Sequence, residues 1–397
     1  MTVTDSLAGD RAQQRRKALR ALLVRPLLVA GRDDEAIRLV RGHAGELREW
    51  LAREAGWRLQ VDAESVRLFK TAPTTTDSTH AARDDKGKPA FGRRRYVLLC
   101  LALAILERAD AQITLGRLAE GVIAAAAEPD LAAAGVSFTL SRRDERSDLV
   151  AVVRLLLEWG VLDRVAGEED AYLSDTGDVL YDVRRRVLAA LLTGQRGPST
   201  IDTDTFERRL AELTDEPAPD TDELRTRALR HRLTRRLLED PVVYYDELTP
   251  DERAYLVNQR HAITRRITEA TGLIAEMRAE GVAMVDADDE LTDVRMPEQR
   301  TDGHVTLLVA ERLATASEPV SIDTLARYVR TLAAQHVTYW RKGVTEPGAE
   351  LELLDVALGK LRALRLVADL PGAMVVPLPA IARYAVDAPT IRSGKAR

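Results

Sequence analysis

One cysteine in 397 residues leaves no intramolecular disulfide to form. Aromatic residues make up only 4% of the chain, so leucine, valine, alanine and isoleucine must fill its cores. No apolar run reaches the length of about eighteen residues that a membrane span needs. The N-terminus has no apolar segment followed by a small-residue cleavage site. Together these absences predict a cytoplasmic protein. Catalytic signatures are missing too: nothing matches GxxxxGK[ST], GxSxG, HExxH or CxxC. His43, His80, His231, His261, His304 and His336 show no metal spacing. Cys100, within "YVLLCLALAIL", is expected to be a buried small hydrophobe rather than a nucleophile. The chain is therefore expected to be no enzyme and to take no cofactor, metal or small-molecule substrate.

The chain says one phrase twice. "ITLGRLAEGV" starts at Ile113 and "VSIDTLARYV" at Val320, an offset of 207 residues that aligns Leu118-Ala119 with Leu325-Ala326. The same offset carries Leu101 to Leu308, Leu106 to Leu313 and Ala109 to Ala316. Each copy reads as an apolar helix, a short turn, a β-branched pair and a second helix. "VRLLLEWGVLDRVAGEEDAYLSD" and "LGKLRALRLVADLPGAMVVPLPA" come next, each an amphipathic helix with two short apolar strands. In the first of these, Gly167–Asp170 is expected to be a polar hairpin tip. Helix, strand, helix, helix, hairpin is the order of a winged helix. The expected fold class is mainly α with small β-hairpins (α+β), arranged as tandem winged-helix domains.

Residues 1–71 read as an N-terminal helical unit with a β-hairpin. In it "RAQQRRKALRALLVRPLL" is a basic helix and "DDEAIRLVRGHAGELREWLAREAGW" a second helix. "WRLQVDAESVRLFKT" is a hairpin turning near Ala63-Glu64. Residues 72–92 are polar with Pro and Gly, a linker or mobile loop. The first winged-helix domain spans 93–193, a second linker 194–221, a middle winged-helix-like unit 222–297 and the C-terminal winged-helix domain 303–386. In the middle unit 225–240 is helical and 242–249 alternates like a strand. Thr249-Pro250 opens a helix, 260–272 is the next one, and Gly272 closes it. A hairpin with Glu280-Gly281 at its tip comes after it. The tail after Ala388 reads as frayed. "DADDELTD" (286–293) lacks the glycine and spaced glutamate of a calcium loop, so it reads as a solvated strand end.

The net charge is −5 and the pI about 5.9. A chain that neutralises many phosphates is usually basic, so this balance favours protein partners over simple DNA binding. Three basic clusters are the candidates for DNA-backbone contact. Arg93, Arg94 and Arg95 precede the first apolar helix of domain 1. Arg142, Arg143 and Arg146 start the helix that ends at Trp159, among Asp144 and Glu145, which would repel phosphate. Arg260, Arg265 and Arg266 lie on the corresponding helix of the middle unit. For each, the plain alternative is a solvated helix face with ion pairs.

The phrases "FGRRRYVLLCLALAILE", "GDVLYDVRRRVL", "PVVYYDELTPDERAYLVNQR" and "TGLIAEMRAEGVAMVD" resemble a bacterial family. It is the MukE-like, or KITE, subunit of a Wadjet (Ept) anti-plasmid defence system, encoded beside a very large SMC-like ATPase. The resemblance covers about residues 15–385. It implies a tandem winged-helix protein that forms a homodimer and binds a kleisin-like subunit, and through it the SMC-like ATPase. The assembled motor would extrude DNA loops and restrict plasmids, and this subunit would carry no catalysis. A kleisin segment would add to a wing edge or lie in an apolar groove. Two other readings stand beside this one. A stand-alone winged-helix transcriptional regulator would bind a short duplex with strong salt dependence. An enzyme would need distant carboxylates such as Asp163 and Glu169 to converge.

Overall fold

The computed structural model describes residues 3–71, 80–84, 89–191, 197, 200–203, 205–214, 220–296 and 298–385. The chain divides into two compact units, Met1–Ala218 and Pro219–Arg397. Both are α+β, with helices carrying small three-stranded antiparallel sheets. Among the described residues no helix is long and apolar enough to cross a membrane.

The first unit opens with α1 (Val3–Val24) and β1 (Leu27–Val29), then α2 (Asp34–Gly42) and α3 (Ala44–Trp50). The expected basic helix stops earlier than its apolar pattern suggested. Pro26 disfavours helical backbone in the residue before it, and Leu27–Val29 pairs with a strand instead. The expected second helix is in pieces. It breaks at His43, widens into a π-helical turn at Leu51–Ala55 and ends on Gly56 at φ +65°. The hairpin β2 (Arg58–Val61) and β3 (Ser65–Phe69) turns where the sequence placed it.

The next elements are α4 (Arg93–Arg108), β4 (Gln112–Thr114), α5 (Leu115–Ala126), α6 (Pro129–Ala133) and α7 (Arg143–Glu158). After them come β5 (Leu162–Ala166), α8 (Glu169–Leu173), β6 (Leu180–Val183), α9 (Arg185–Leu191) and α10 (Phe206–Thr214). Four expectations need correction here. Gly167–Asp170 is not a hairpin tip, because α8 is inserted between the two strands and Glu169 is buried. Cys100 is exposed; the inward face of α4 is instead carried by Leu98, Leu99, Ala102 and Leu106. Part of the expected 72–92 linker is tied down, since buried Phe91 joins the core and its N–H donates to the Ala82 carbonyl at 2.7 Å. Residues 72–79 and 85–88 lie outside the described residues. The expected linker 194–221 contains α10, and several of its other residues lie outside the described set.

The N-terminal elements share a core with α4, α5 and α7. Val29 belongs to the same apolar cluster as Leu98, Leu118 and Leu156. Gly160 at φ +69° faces it, and a Cβ there would fall 2.9 Å from the Val29 side chain. The Arg32 guanidinium donates to the Leu157 and Glu158 carbonyls, placing a cation at the electronegative end of α7.

The second unit holds α11 (Asp222–Glu239), β7 (Val243–Tyr244), α12 (Pro250–Thr271), β8 (Ile274–Met277) and β9 (Gly281–Val285). It continues with α13 (Arg300–Ala314), β10 (Val320–Ser321), α14 (Ile322–Gln335), α15 (Ala349–Ala363), β11 (Val367–Leu370) and β12 (Met374–Pro377). The expected strand 242–249 shrinks to two residues before a 3-10 turn at Tyr245–Glu247. The two helices expected between Thr249 and Gly272 are one. A reciprocal capping box of Thr249 and Glu252 starts it, Gly272 at φ +82° ends it, and nothing between breaks its 22 residues. The tail after Ala388, read as frayed, lies outside the described residues.

All four sheets have one topology. Their strand orders are β1-β3-β2, β4-β6-β5, β7-β9-β8 and β10-β12-β11. In each, a short leading strand pairs with the hairpin's second strand, and the hairpin's first strand forms the opposite edge. The copies at Ile113 and Val320 match in detail. Thr114 caps α5 through the Arg117 N–H, and Ser321 caps α14 through the Thr324 N–H. Leu118 and Leu325 are both 0% exposed, Ala119 and Ala326 both 5%.

Candidate interaction surfaces

The basic clusters separate by how well their charges are already answered. In the first unit the N-termini of α4 and α7 lie together, and carboxylates from α7 hold three of the six arginines. Arg94 and Arg95 both bind Asp148, the latter through Nε at 2.7 Å. Asp144 pairs with Arg142 at 3.3 Å and Arg94 at 3.5 Å. Arg146 pairs with Asp175. Arg93 reaches the Ala134 carbonyl at 3.5 Å. Arg93 and Arg143, both exposed, have no ion pair among the described residues. The four paired arginines have their charge answered within the chain and offer phosphate little.

The packed helices α11 and α12 differ. They carry ten arginines against six carboxylates, a positive surplus on an acidic chain. Arg232 pairs with Glu252 at 3.1 Å and Arg236 with Asp240 at 2.9 Å. Arg265 stands 3.8 Å from Glu269, and Arg266 has a partner. Among the described residues Arg260 finds no ion pair, and its buried Nε has no acceptor; the same holds for Arg230. Arg253 is exposed and also without an ion pair among the described residues. Arg230 and Arg253 went unnoticed in the sequence, because cations and acids alternate there and only packing reveals which pairs form.

The sheets present a second kind of surface. Among the described residues no strand pairs with the outer edges of β2, β5, β8 or β11. Such edges are templates for an added strand. Three carry exposed apolar side chains: Val165 on β5, Ile274 and Met277 on β8, Leu370 on β11. Val165 is the extra residue of an irregularity between Arg164 and Ala166, which turns it outward. Glu169 braces this strand from inside. It accepts from the Tyr181 hydroxyl at 2.8 Å and the Arg164 Nε at 3.1 Å. Burial, then this hydrogen bond to a carboxylate, pushes the Tyr181 phenol well above its ordinary pKa. Asp163 instead approaches Arg184 at 3.6 Å, so the two carboxylates named for an enzyme reading are each held by a different arginine.

Gly167, at φ +87°, lets the chain pass the neighbouring backbone: a Cβ there would fall 2.4 Å from the Asp178 carbonyl oxygen. Gly167→Ala is therefore expected to disrupt this hairpin, with faster amide exchange across residues 162–183 as the readout. Unchanged exchange would refute the close approach.

Two histidines far apart in sequence meet in the C-terminal module. The His304 and His336 rings lie 4.9 Å apart, Trp340 stacks on His336 at 5.4 Å, and the Trp340 indole donates to His304 Nδ1 at 3.1 Å. Burial, then the neighbouring His336, holds His304 below its ordinary pKa. The unfolded chain therefore takes up this proton first. Stability is expected to fall as pH drops through about 6.5, the unfolded histidine value, and to level off below the folded value. His304→Gln keeps an acceptor for Trp340 and should flatten that dependence of Tm on pH; an unaltered profile would mean His304 contributes none of it. No group of three or more His, Cys, Asp or Glu able to hold a metal occurs among the described residues.

The described molecule is thus an α+β chain of repeated helix–hairpin modules with unpaired strand edges and a surplus of cations on α11 and α12. It belongs to the family described as Protein of unknown function (DUF2398), whose model matches residues 19–387. No curated protein and no solved structure matches the chain.

Proposed function

We propose that this chain is a non-catalytic tandem winged-helix subunit of an SMC-like complex, of the MukE-like (KITE) kind. It is a cytoplasmic homodimer that binds a kleisin-like subunit, and through it the SMC-like ATPase, in a machine that extrudes DNA loops and restricts plasmids. The observation that carries the reading is the single sheet topology used four times. Repetition of one small module multiplies docking edges, and the apolar residues on β5, β8 and β11 suit an extended kleisin segment added as a strand. DNA contact is assigned to α11 and α12, where Arg230, Arg253 and Arg260 lack counter-charges among the described residues, rather than to the cluster at α4 and α7, where four of six arginines are paired.

Affinity capture of the tagged chain from its host, read by mass spectrometry, tests the assembly. An SMC-like ATPase and a kleisin-like protein recovered in fixed stoichiometry would support it. Recovery of the chain alone, or with RNA polymerase and promoter DNA, would replace it with a transcriptional regulator. The DNA assignment has its own test. Arg230, Arg253 and Arg260 changed together to Glu should weaken DNA retention by the complex and lower the log–log salt slope by about two to three. Arg142, Arg143 and Arg146 changed together should move that slope by about one at most. The reverse ranking would overturn the choice of surface.

A further inference from the structure

The N-terminal sheet contains a charge that no group among the described residues answers. Arg67 lies on the central strand β3 and is half-buried. Its Nε is enclosed and has no acceptor, and among the described residues no carboxylate pairs with it. Burial alone lowers its pKa, with no opposing charge to restore it. A cation held in this way is a cost to the fold unless something compensates it. Acids are not scarce: the sequence has 63 Asp and Glu. The nearby ones are engaged elsewhere, Asp62 with the Gln60 amide at 2.6 Å and Glu64 with Arg186 at 3.1 Å.

A second guanidinium stands beside it. Arg58 on β2 pairs across the sheet with Phe69, and Gln60 pairs with Arg67, so these four side chains share one face. The Arg58 guanidinium carbon lies 3.7 Å from the Phe69 ring centroid, that of Arg67 5.7 Å from the same centroid. Contact with the ring holds Arg58 in place. One of its terminal nitrogens donates to the Gln60 amide oxygen at 3.3 Å, which fixes the fork further and leaves its other N–H groups unused. Arg58 has no ion pair among the described residues either.

We propose that Arg58 and Arg67 form a binding site for a phosphate group, with Phe69 and Gln60 as its fixed frame. The donors of two guanidiniums exceed what the two oxygens of a carboxylate accept. A phosphate offers more oxygens on a tetrahedral centre and can meet both forks. The phosphate is that of a nucleic-acid strand or a free phosphate; the recognition chemistry is shared. This site does not rest on the assembly proposed above.

Calorimetric titration of the full chain at low ionic strength tests it, with inorganic phosphate, sodium acetate and a short deoxyoligonucleotide as separate probes. Phosphate is expected to bind the wild type. Arg67→Gln and Arg58→Gln should each weaken it by about tenfold or more, the loss for one charge-assisted partner. A response to the oligonucleotide that exceeds free phosphate at equal phosphorus assigns the strand as source, and equal responses assign free phosphate. Acetate binding as well as phosphate would overturn the ligand class. Wild-type affinity in both variants, or no phosphate binding by the wild type, would overturn the site. Arg58 is exposed, so its variant decides should Arg67→Gln fail to fold. Arg67→Leu adds an independent readout: without phosphate it should melt at or above the wild-type temperature, because it removes an unanswered cation. A marked drop in melting temperature would show Arg67 to be structurally satisfied and would also overturn the proposal.

Discussion

Leu118→Ala is expected to destabilise the first unit by about 3 kcal/mol, and Leu325→Ala the second unit by a similar amount. Both side chains are 0% exposed. Each sits in the first turns of a helix that a Thr or Ser caps, and each is followed by an alanine of 5% exposure and, four residues on, a fully buried valine, Val122 or Val329. Truncation removes buried methyl groups and leaves a cavity that such a packed neighbourhood cannot fully close. Equality of the two losses is the test. The two positions align at a constant offset, and if the modules are physical repeats their cavities should be alike. Hydrogen exchange read by mass spectrometry locates each loss, in peptides of residues 93–191 for one and 298–385 for the other. A loss below about 1 kcal/mol at one site, against about 3 at the other, would mean that the phrases match while their surroundings do not.

The repeat was legible because it is written in apolar spacing and caps, which act locally. Ile113 and Val320 mark the leading strands, and Thr114 and Ser321 the helix starts. The Gly272 stop and the hairpin turn at Ala63-Glu64 were equally local. What escaped depends on partners distant in sequence. Leu27–Val29 reads as the end of a helix until β3 is available to pair with it. Cys100 reads as core because its neighbours are apolar, yet α4 turns that position outward. Helix α12 reads as two because Arg260-His261 interrupts the apolar pattern, but no glycine or proline breaks the backbone there. The candidate arginines were found by type; whether Asp148 or Asp175 had already taken them was a fact of tertiary contact.

Glu169 shows the same division most sharply, and its substitution has the other large expected effect. The sequence around it, Gly-Glu-Glu-Asp, reads as a solvated tip, and substitution at such a tip would change stability by no more than about 0.5 kcal/mol. In the structure Glu169 is 3% exposed and accepts from both Tyr181 and Arg164. Glu169→Leu should therefore cost about 2–3 kcal/mol. It strands a buried hydroxyl, which costs about 1–3 kcal/mol, and leaves a guanidinium unpaired. Arg164 is 37% exposed and also holds Glu168 at 3.0 Å, so water and Glu168 relieve part of the second penalty. Tyr181→Phe alone should cost about 1 kcal/mol. In the double variant the stranded hydroxyl is gone, so the combined loss should fall short of the sum of the singles. Denaturant titration of the four proteins measures this coupling. Strict additivity would mean the hydrogen bond contributes nothing, and a near-neutral Glu169→Leu would return this segment to the solvated tip that the sequence suggested. A large loss would carry a functional consequence. The brace fixes β5, so a partner docking on the Val165 edge should bind Glu169→Leu more weakly under conditions where the variant is still folded.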